Sequence, residues 1–128
     1  MLHCVQKVSE KIYWVGGNDR RLERFENMFP VPKGVSYNSY LILDEKTALI
    51  DTVDSAIRDQ FLDNIRYVLD GRNLDYLIIN HMEPDHAGWL GEFCRRNRKA
   101  TIYCTHKAVP LLEAFASVPP ERAVAITD

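Results

Sequence analysis

Apolar and polar residues follow two different rhythms along this chain. Over residues 55–70 the apolar side chains Ile57, Phe61, Ile65 and Val68 recur at helical spacing, with Asp54 or Ser55 placed to cap the start and Gly71 to stop the end. Ahead of this helix, residues 11–15, 37–43 and 47–52 are short runs of apolar, aromatic and β-branched residues, which predict strands. Gly16 and Gly17 close the first run, and Asp44, Glu45 and Lys46 between the other two predict a hairpin. The polar, arginine-rich stretch 18–26 predicts a loop or short helix, after which Pro30, Pro32 and Gly34 punctuate the chain. Beyond the helix the pattern alternates. Residues 76–79 predict a buried strand, 86–97 a helix, 100–104 a strand, then a helix that starts between His106 and Pro110 and runs to Ala116, and 123–126 a last strand. A β-rich first third followed by alternating helix and strand predicts an α/β fold of the α+β kind, a mixed β-sheet with flanking helices.

Composition narrows the function classes. A chain of 128 residues is one domain's worth, and 46% hydrophobic with 27% charged residues is ordinary for a soluble globular protein. A net charge of −2 argues against an electrostatic nucleic-acid binder. The one basic cluster, Arg95, Arg96, Arg98 and Lys99, falls where a helix ends and complements its dipole. The start has no apolar signal region and no run is long enough to span a membrane, so a cytoplasmic location is expected. Cys4, Cys94 and Cys104 are odd in number and widely spaced, which fits reduced structural thiols rather than a disulfide framework or a Cys-x-x-Cys motif.

The chemistry concentrates at residues 81–86, His-Met-Glu-Pro-Asp-His, directly after the apolar run ending at Ile79. His81, Glu83, Asp85 and His86 bring two imidazoles and two carboxylates, too much polar capacity to leave unpaired beside a buried strand. A metal ion would satisfy them. With no thiolate nearby, the donor set suits iron or manganese better than structural zinc, and iron best. Alternate residues of an extended segment share one side, so His81, Glu83 and Asp85 can face one cavity while His86 turns in as a helix begins. Four such groups can serve two adjacent ions. Pro84 fixes its own φ and biases Glu83 toward extended backbone, delaying the helix until after the ligands. Without a metal, Asp85 reads as an N-cap, His81 as a satisfied loop histidine and Glu83 as a solvated carboxylate, a separate coincidence for each. Asp51, at the end of the 47–52 strand, reads equally as a turn residue or as a group behind the ligands that orients a metal-bound histidine. His106, after the 100–104 strand, is spatially conceivable as a ligand, with a cap or surface role the simpler reading.

Three stretches carry a family resemblance: Gly34-Val35-Ser36-Tyr37-Asn38-Ser39-Tyr40-Leu41-Ile42, Glu45-Lys46-Thr47-Ala48-Leu49-Ile50-Asp51-Thr52-Val53, and Asn80 through Gly88. Together they resemble the metallo-β-lactamase-like domain of flavodiiron proteins over most of residues 10–128. The specific element is Glu83 in His-x-Glu-x-Asp-His, where hydrolases of that superfamily usually carry a third histidine. The resemblance implies that His81 and Glu83 bind one iron and Asp85 and His86 the other. It also implies that residues 1–128 form a partial metallo-β-lactamase-like domain, the first half of an αββα sandwich. Two further histidines and a bridging aspartate would follow the matched region. So would a flavodoxin-like domain, absent here, whose FMN delivers electrons.

The function this implies is that of the N-terminal portion of an oxidoreductase reducing O2 to water or NO to N2O at a non-haem diiron site, with rubredoxin or a flavin domain as electron donor. The 128-residue chain by itself is expected to hold metal weakly and not to turn over. Half a sandwich leaves an apolar sheet face, so self-association or a complementary chain carrying the rest of the fold is expected. Two other classes stay open: a metal- or oxygen-binding module or split subunit without turnover, and a metallo-hydrolase using metal-activated water, which Glu83 counts against.

Overall fold

The two rhythms of the sequence become the two halves of one sheet. The computed structural model describes residues 5–19, 24–25, 29–30, 35–53, 57–80 and 87–126. Strands β1 (Gln6–Lys7) and β2 (Ile12–Trp14) open the chain. Two small ribbons follow, β3 (Gly17–Asp19) with β6 (Val35–Tyr37), and β4 (Arg24–Phe25) with β5 (Phe29–Pro30). Next come β7 (Tyr40–Leu43), β8 (Thr47–Ile50) and helix α1 (Arg58–Leu69). The alternating part is β9 (Tyr76–Ile78), α2 (Ala87–Arg96), β10 (Thr101–Thr105), α3 (Ala108–Ala116) and β11 (Ala123–Ile126). The main sheet has seven strands in the order β1-β2-β7-β8-β9-β10-β11. Pairing is antiparallel from β1 to β8 and parallel from β8 to β11. This is the expected mixed sheet of an α/β protein.

Strands β8 to β11 advance across the sheet in sequence order, each joined to the next through a helix. Right-handed crossovers put successive helices of such a series on one face. Burial agrees. Tyr13, Leu41, Leu49, Leu77, Ile102 and Ala123 stand in one register row across six strands. Leu41, Leu49 and Ile102 are wholly buried, in one cluster with Phe61, Ile65 and Val68 of α1, Trp89, Leu90 and Phe93 of α2, and Leu112 and Ala116 of α3. Phe93 joins the helices, its ring 6.0 Å from that of Phe61 and 5.9 Å from that of Trp89.

The opposite face is different. Trp14, Tyr40, Ile50, Ile78, Tyr103 and Val124 form the next register row, and all are half-buried or exposed. Beside it Ile12, Ile42, Ala48 and Tyr76 form a second apolar row, with Tyr76 and Tyr103 in ring contact at 5.7 Å. No described helix is long and apolar enough to cross a membrane.

Several expectations need correction. The run 37–43 is not one strand. It divides at Asn38 and Ser39, with β6 paired to β3 and β7 in the main sheet. Strand β2 ends before Gly16 as expected, but Gly17 opens the next one, and of the stretch 18–26, expected as a loop or short helix, the described residues 18–19 and 24–25 lie in β3 and β4. Helix α1 proper begins at Arg58, after Ile57, whose side chain makes no cap; Asp54 and Ser55, the expected caps, lie outside the described residues. Its end is as expected: Asp70 and Gly71 both take positive φ, and the Asp70 amide donates to the Arg66 carbonyl.

Among the described residues, buried Asn64 and Thr47 find hydrogen-bond partners, whereas the Trp89 Nε1 donor in the core does not. Asn64, fully buried on α1, donates to the carbonyls of Val15 and Gly16 and accepts from Gln60, tying α1 to the end of β2. Buried Thr47 donates its hydroxyl to the Asn73 carbonyl at 2.8 Å and accepts the Asp75 amide at 2.9 Å. The Asp75 carboxylate accepts the Thr47 amide in return at 2.8 Å. This knot fixes the start of β9 against β8.

Candidate metal centre

In a parallel array, functional groups collect beyond the carboxyl ends of the strands, because each chain leaves the sheet there to enter a helix. Strands β8, β9 and β10 end together at this edge, and residues 81–86 leave from it between β9 and α2. His81, Glu83, Asp85 and His86 themselves lie outside the described residues. What the structure describes is the frame that launches them.

That frame centres on Asp51, the residue after β8. Its φ is +61°, the left-handed region, which Asp tolerates better than most non-glycine residues. Its amide donates to the Ile78 carbonyl at 2.8 Å, adding one rung to the β8–β9 ladder. Its carboxylate then accepts the amide of Asn80 at 2.7 Å. On the other side of β9, the Ile79 amide donates to the Tyr103 carbonyl of β10 at 2.9 Å. The chain is therefore held from both flanks at the two residues before His81. Buried Ser39 donates its hydroxyl to the Ile50 and Asp51 carbonyls at 3.1 and 2.8 Å. Asp51 was readable in the sequence as a strand-end acid. Ser39 was not, because a serine in the mixed stretch Ser36-Tyr37-Asn38-Ser39-Tyr40 carries no signal until its tertiary partner is seen.

Helix α2 is held at its first turns by α1. The Arg58 guanidinium lies over the Trp89 ring at 5.9 Å and reaches Glu92 at 3.5 Å, while Arg96 reaches the same carboxylate at 3.2 Å. Arg95 and Arg96 fall in the last turn of α2, where basic side chains complement the helix dipole. The C-terminal carbonyls also receive Arg122 from the far end of the sequence.

His106, in the turn after β10, is exposed; Lys107, not His106, occupies the cap position of α3, so the surface reading holds for it. Among the described residues no group of three His, Cys, Asp or Glu side chains could hold a metal. Cys94 and Cys104 are unbridged and buried. Burial pushes the Cys94 thiol up to about 11 against the opposing pull of Arg122 and Arg95, and burial raises Cys104 as well. Both therefore stay protonated at neutral pH and offer no thiolate to a metal.

A mixed sheet with helices on one face, and a His-x-Glu-x-Asp-His segment leaving its carboxyl edge beside a strand-end aspartate, defines a recognisable class. Residues 32–126 match the metallo-beta-lactamase superfamily, and the chain belongs to it. Within that superfamily its likeness is to flavodiiron proteins. It is 42% identical over 103 residues to the anaerobic nitric oxide reductase flavorubredoxin of Vibrio vulnificus, covering 80% of this chain and 21% of that one. The counterpart from Pectobacterium carotovorum is 45% identical over 103 residues, covering 80% and 20%. Among solved structures, the flavodiiron protein from Giardia intestinalis matches with a TM-score of 0.84 and 28% identity over 98% of this chain and 30% of its own. The rubredoxin oxygen:oxidoreductase from Desulfovibrio gigas matches with a TM-score of 0.85 and 29% identity, over 96% and 31%. The chain thus spans about a fifth of the length of the curated relatives it matches.

Proposed function

We propose that this chain supplies His81, Glu83, Asp85 and His86 to a non-haem diiron centre, in an oxidoreductase that reduces NO to N2O or O2 to water. The observation that carries this reading is the placement of that donor set one residue after the Asp51–Asn80 hydrogen bond, in a chain 42–45% identical to nitric oxide reductase flavorubredoxins. The donors fit the metal: two imidazoles and two carboxylates are hard to intermediate ligands, and both described thiols are buried and protonated.

His81 and Glu83 would hold one iron and Asp85 and His86 the other. When bound, the pair supplies electrons and Lewis acidity to the diatomic substrate. The remaining work belongs to the protein. Glu83 places a carboxylate where a hydrolase would place an imidazole, favouring iron over zinc. Asp51 fixes the Asn80 amide from which the ligand segment departs, so that the segment starts from a fixed point before metal arrives. An FMN on a flavodoxin-like domain, supplied by a rubredoxin-type donor, would be the source of electrons. The apolar sheet face is covered by the rest of the fold, from the same polypeptide, a complementary chain or a second copy. Widely spaced cysteines suit work in the reducing cytoplasm.

The test is anaerobic titration of the full-length protein with ferrous iron, followed by NO and O2 consumption with a reduced flavin donor. Stoichiometric iron and iron-dependent gas consumption are expected, and Glu83→Ala combined with Asp85→Ala should abolish both. Iron binding without consumption of either gas would leave a binding module. Zinc-dependent hydrolysis of a lactam or ester, with no iron-dependent consumption, would replace the reading with a hydrolase.

A further inference from the structure

Ser39 is among the few polar residues fully buried in the described part of the chain, and it spends its hydroxyl on a neighbouring strand's exit. Tyr40 pairs with Ile50 in the antiparallel ladder, so Ser39 stands opposite Asp51, where the regular ladder stops. The Ser39 carbonyl is taken by the Val15 amide at 2.9 Å. Its hydroxyl hydrogen is shared between the Ile50 carbonyl at 3.1 Å and the Asp51 carbonyl at 2.8 Å. Two consecutive carbonyls of an extended strand point to opposite sides. Both can reach one oxygen only because Asp51 bends the chain with its φ of +61°. The same bend aims the Asp51 carboxylate at the Asn80 amide, 2.7 Å away.

We propose that Ser39 is a positioning residue for the ligand segment, its hydroxyl locking the left-handed bend at Asp51 and thereby fixing the Asn80 amide beside His81. This rests on the diiron reading for its consequence but not for its geometry. Without the hydroxyl, two part-buried carbonyls lose a donor and Asp51 loses one of the contacts that hold it bent, so its balance shifts toward extended backbone, the conformation most residues prefer there. The carboxylate would then leave Asn80, and the segment would start from a loose end.

The experiment compares wild-type full-length protein with Ser39→Ala, Ser39→Cys, which substitutes a slightly larger and weaker donor, and Thr47→Val at the other end of β8. Two quantities are read: amide hydrogen exchange at Asn80, and anaerobic ferrous iron affinity. Ser39→Ala should speed Asn80 exchange at least tenfold relative to Leu77 and Ile102, and weaken iron roughly tenfold or more, as loss of groups behind metal ligands commonly does. Ser39→Cys should fall between, and decides the matter if Ser39→Ala does not fold. Thr47→Val should lose stability while leaving both readouts at wild-type values. A Ser39→Ala protein that melts lower yet keeps wild-type exchange at Asn80 and wild-type iron affinity overturns the proposal. Wild-type protein that binds no iron would instead refute the diiron reading, and exchange at Asn80 would then decide the positioning role alone.

Discussion

Replacing Gly91 by alanine should destabilise this protein, although glycine is the poorer helix former. Gly91 lies in the middle of α2 where the end of α3 packs against it. A Cβ built there would stand 2.1 Å from the Ala116 carbonyl oxygen, 3.1 Å from the Ala116 carbonyl carbon and 3.3 Å from the Arg95 guanidinium. Carbon and oxygen approach to about 3.3 Å even in favourable C–H···O contacts, so α3 must retreat by roughly 1 Å. The obstacle is backbone, and no rotamer change relieves it. Ala116 is buried and ends α3, next to Leu112, which is wholly committed to the core. Overpacking costs about 1–3 kcal/mol, and an obstacle of backbone puts this case in the upper part of that range, about 2–3 kcal/mol, against a gain of about 1 kcal/mol for alanine over glycine in a helix interior. The net expectation is a loss of about 1–2 kcal/mol, which for a domain of this size lowers Tm by roughly 3–10 °C. Thermal and urea unfolding followed by circular dichroism measure it. Gly71→Ala is the contrasting case, because nothing lies within 4 Å of its added Cβ and only its φ of +90° opposes the change. A Gly91→Ala protein as stable as wild type, or more so, would mean that α2 and α3 separate freely and that this close approach is not a constraint.

Three further outcomes are expected. Arg122 donates to the carbonyls of Cys94, Asn97 and Ala100 at 2.6, 3.1 and 2.9 Å, so Arg122→Ala should cost about 2–3 kcal/mol in urea unfolding, and Arg122→Lys should not restore it because an ammonium lacks the planar fork. The Thr47 amide, and secondarily its hydroxyl, hold Asp75 below the ordinary carboxylate range, and Lys11 with the Glu45 amide does the same for Asp44. Folded values below unfolded ones give stability that is present above the unfolded pKa and lost as pH falls through the folded value, so unfolding midpoints should drop below about pH 4, and less steeply in Asp75→Asn. The isolated 128-residue chain should sediment as dimers or larger species, since Trp14, Tyr40, Ile50, Ile78 and Tyr103 form one incompletely covered row, and Ile50→Lys should shift it toward monomer; a wild-type monomer at every concentration would contradict this.

Local pattern was enough for elements whose own residues decide their conformation. The α1 stripe of Phe61, Ile65 and Val68, the stop at Gly71 and the 123–126 strand appear as expected, because period and turn chemistry are carried by neighbours in sequence. The donor set at 81–86 and the strand-end acid Asp51 were equally legible as residue types. The split at Asn38 and Ser39 was not, since Val35–Tyr37 and Tyr40–Leu43 are both acceptable strands and only their partners, Gly17–Asp19 in one case and Ile12–Trp14 in the other, separate them.

What the sequence determined by itself was therefore the inventory: helical and extended segments, two histidines and two carboxylates gathered at 81–86, and a mixed α/β architecture. Tertiary structure alone decided how that inventory is aimed. Ser39 and Asp51 are 12 residues apart in the hydrogen bond that joins them, and Asp51 and Asn80 are 29 apart in the next. No local propensity encodes bonds of that span. A left-handed aspartate is unfavourable in isolation, and it persists here because a buried hydroxyl and a distant amide are both satisfied by the same bend.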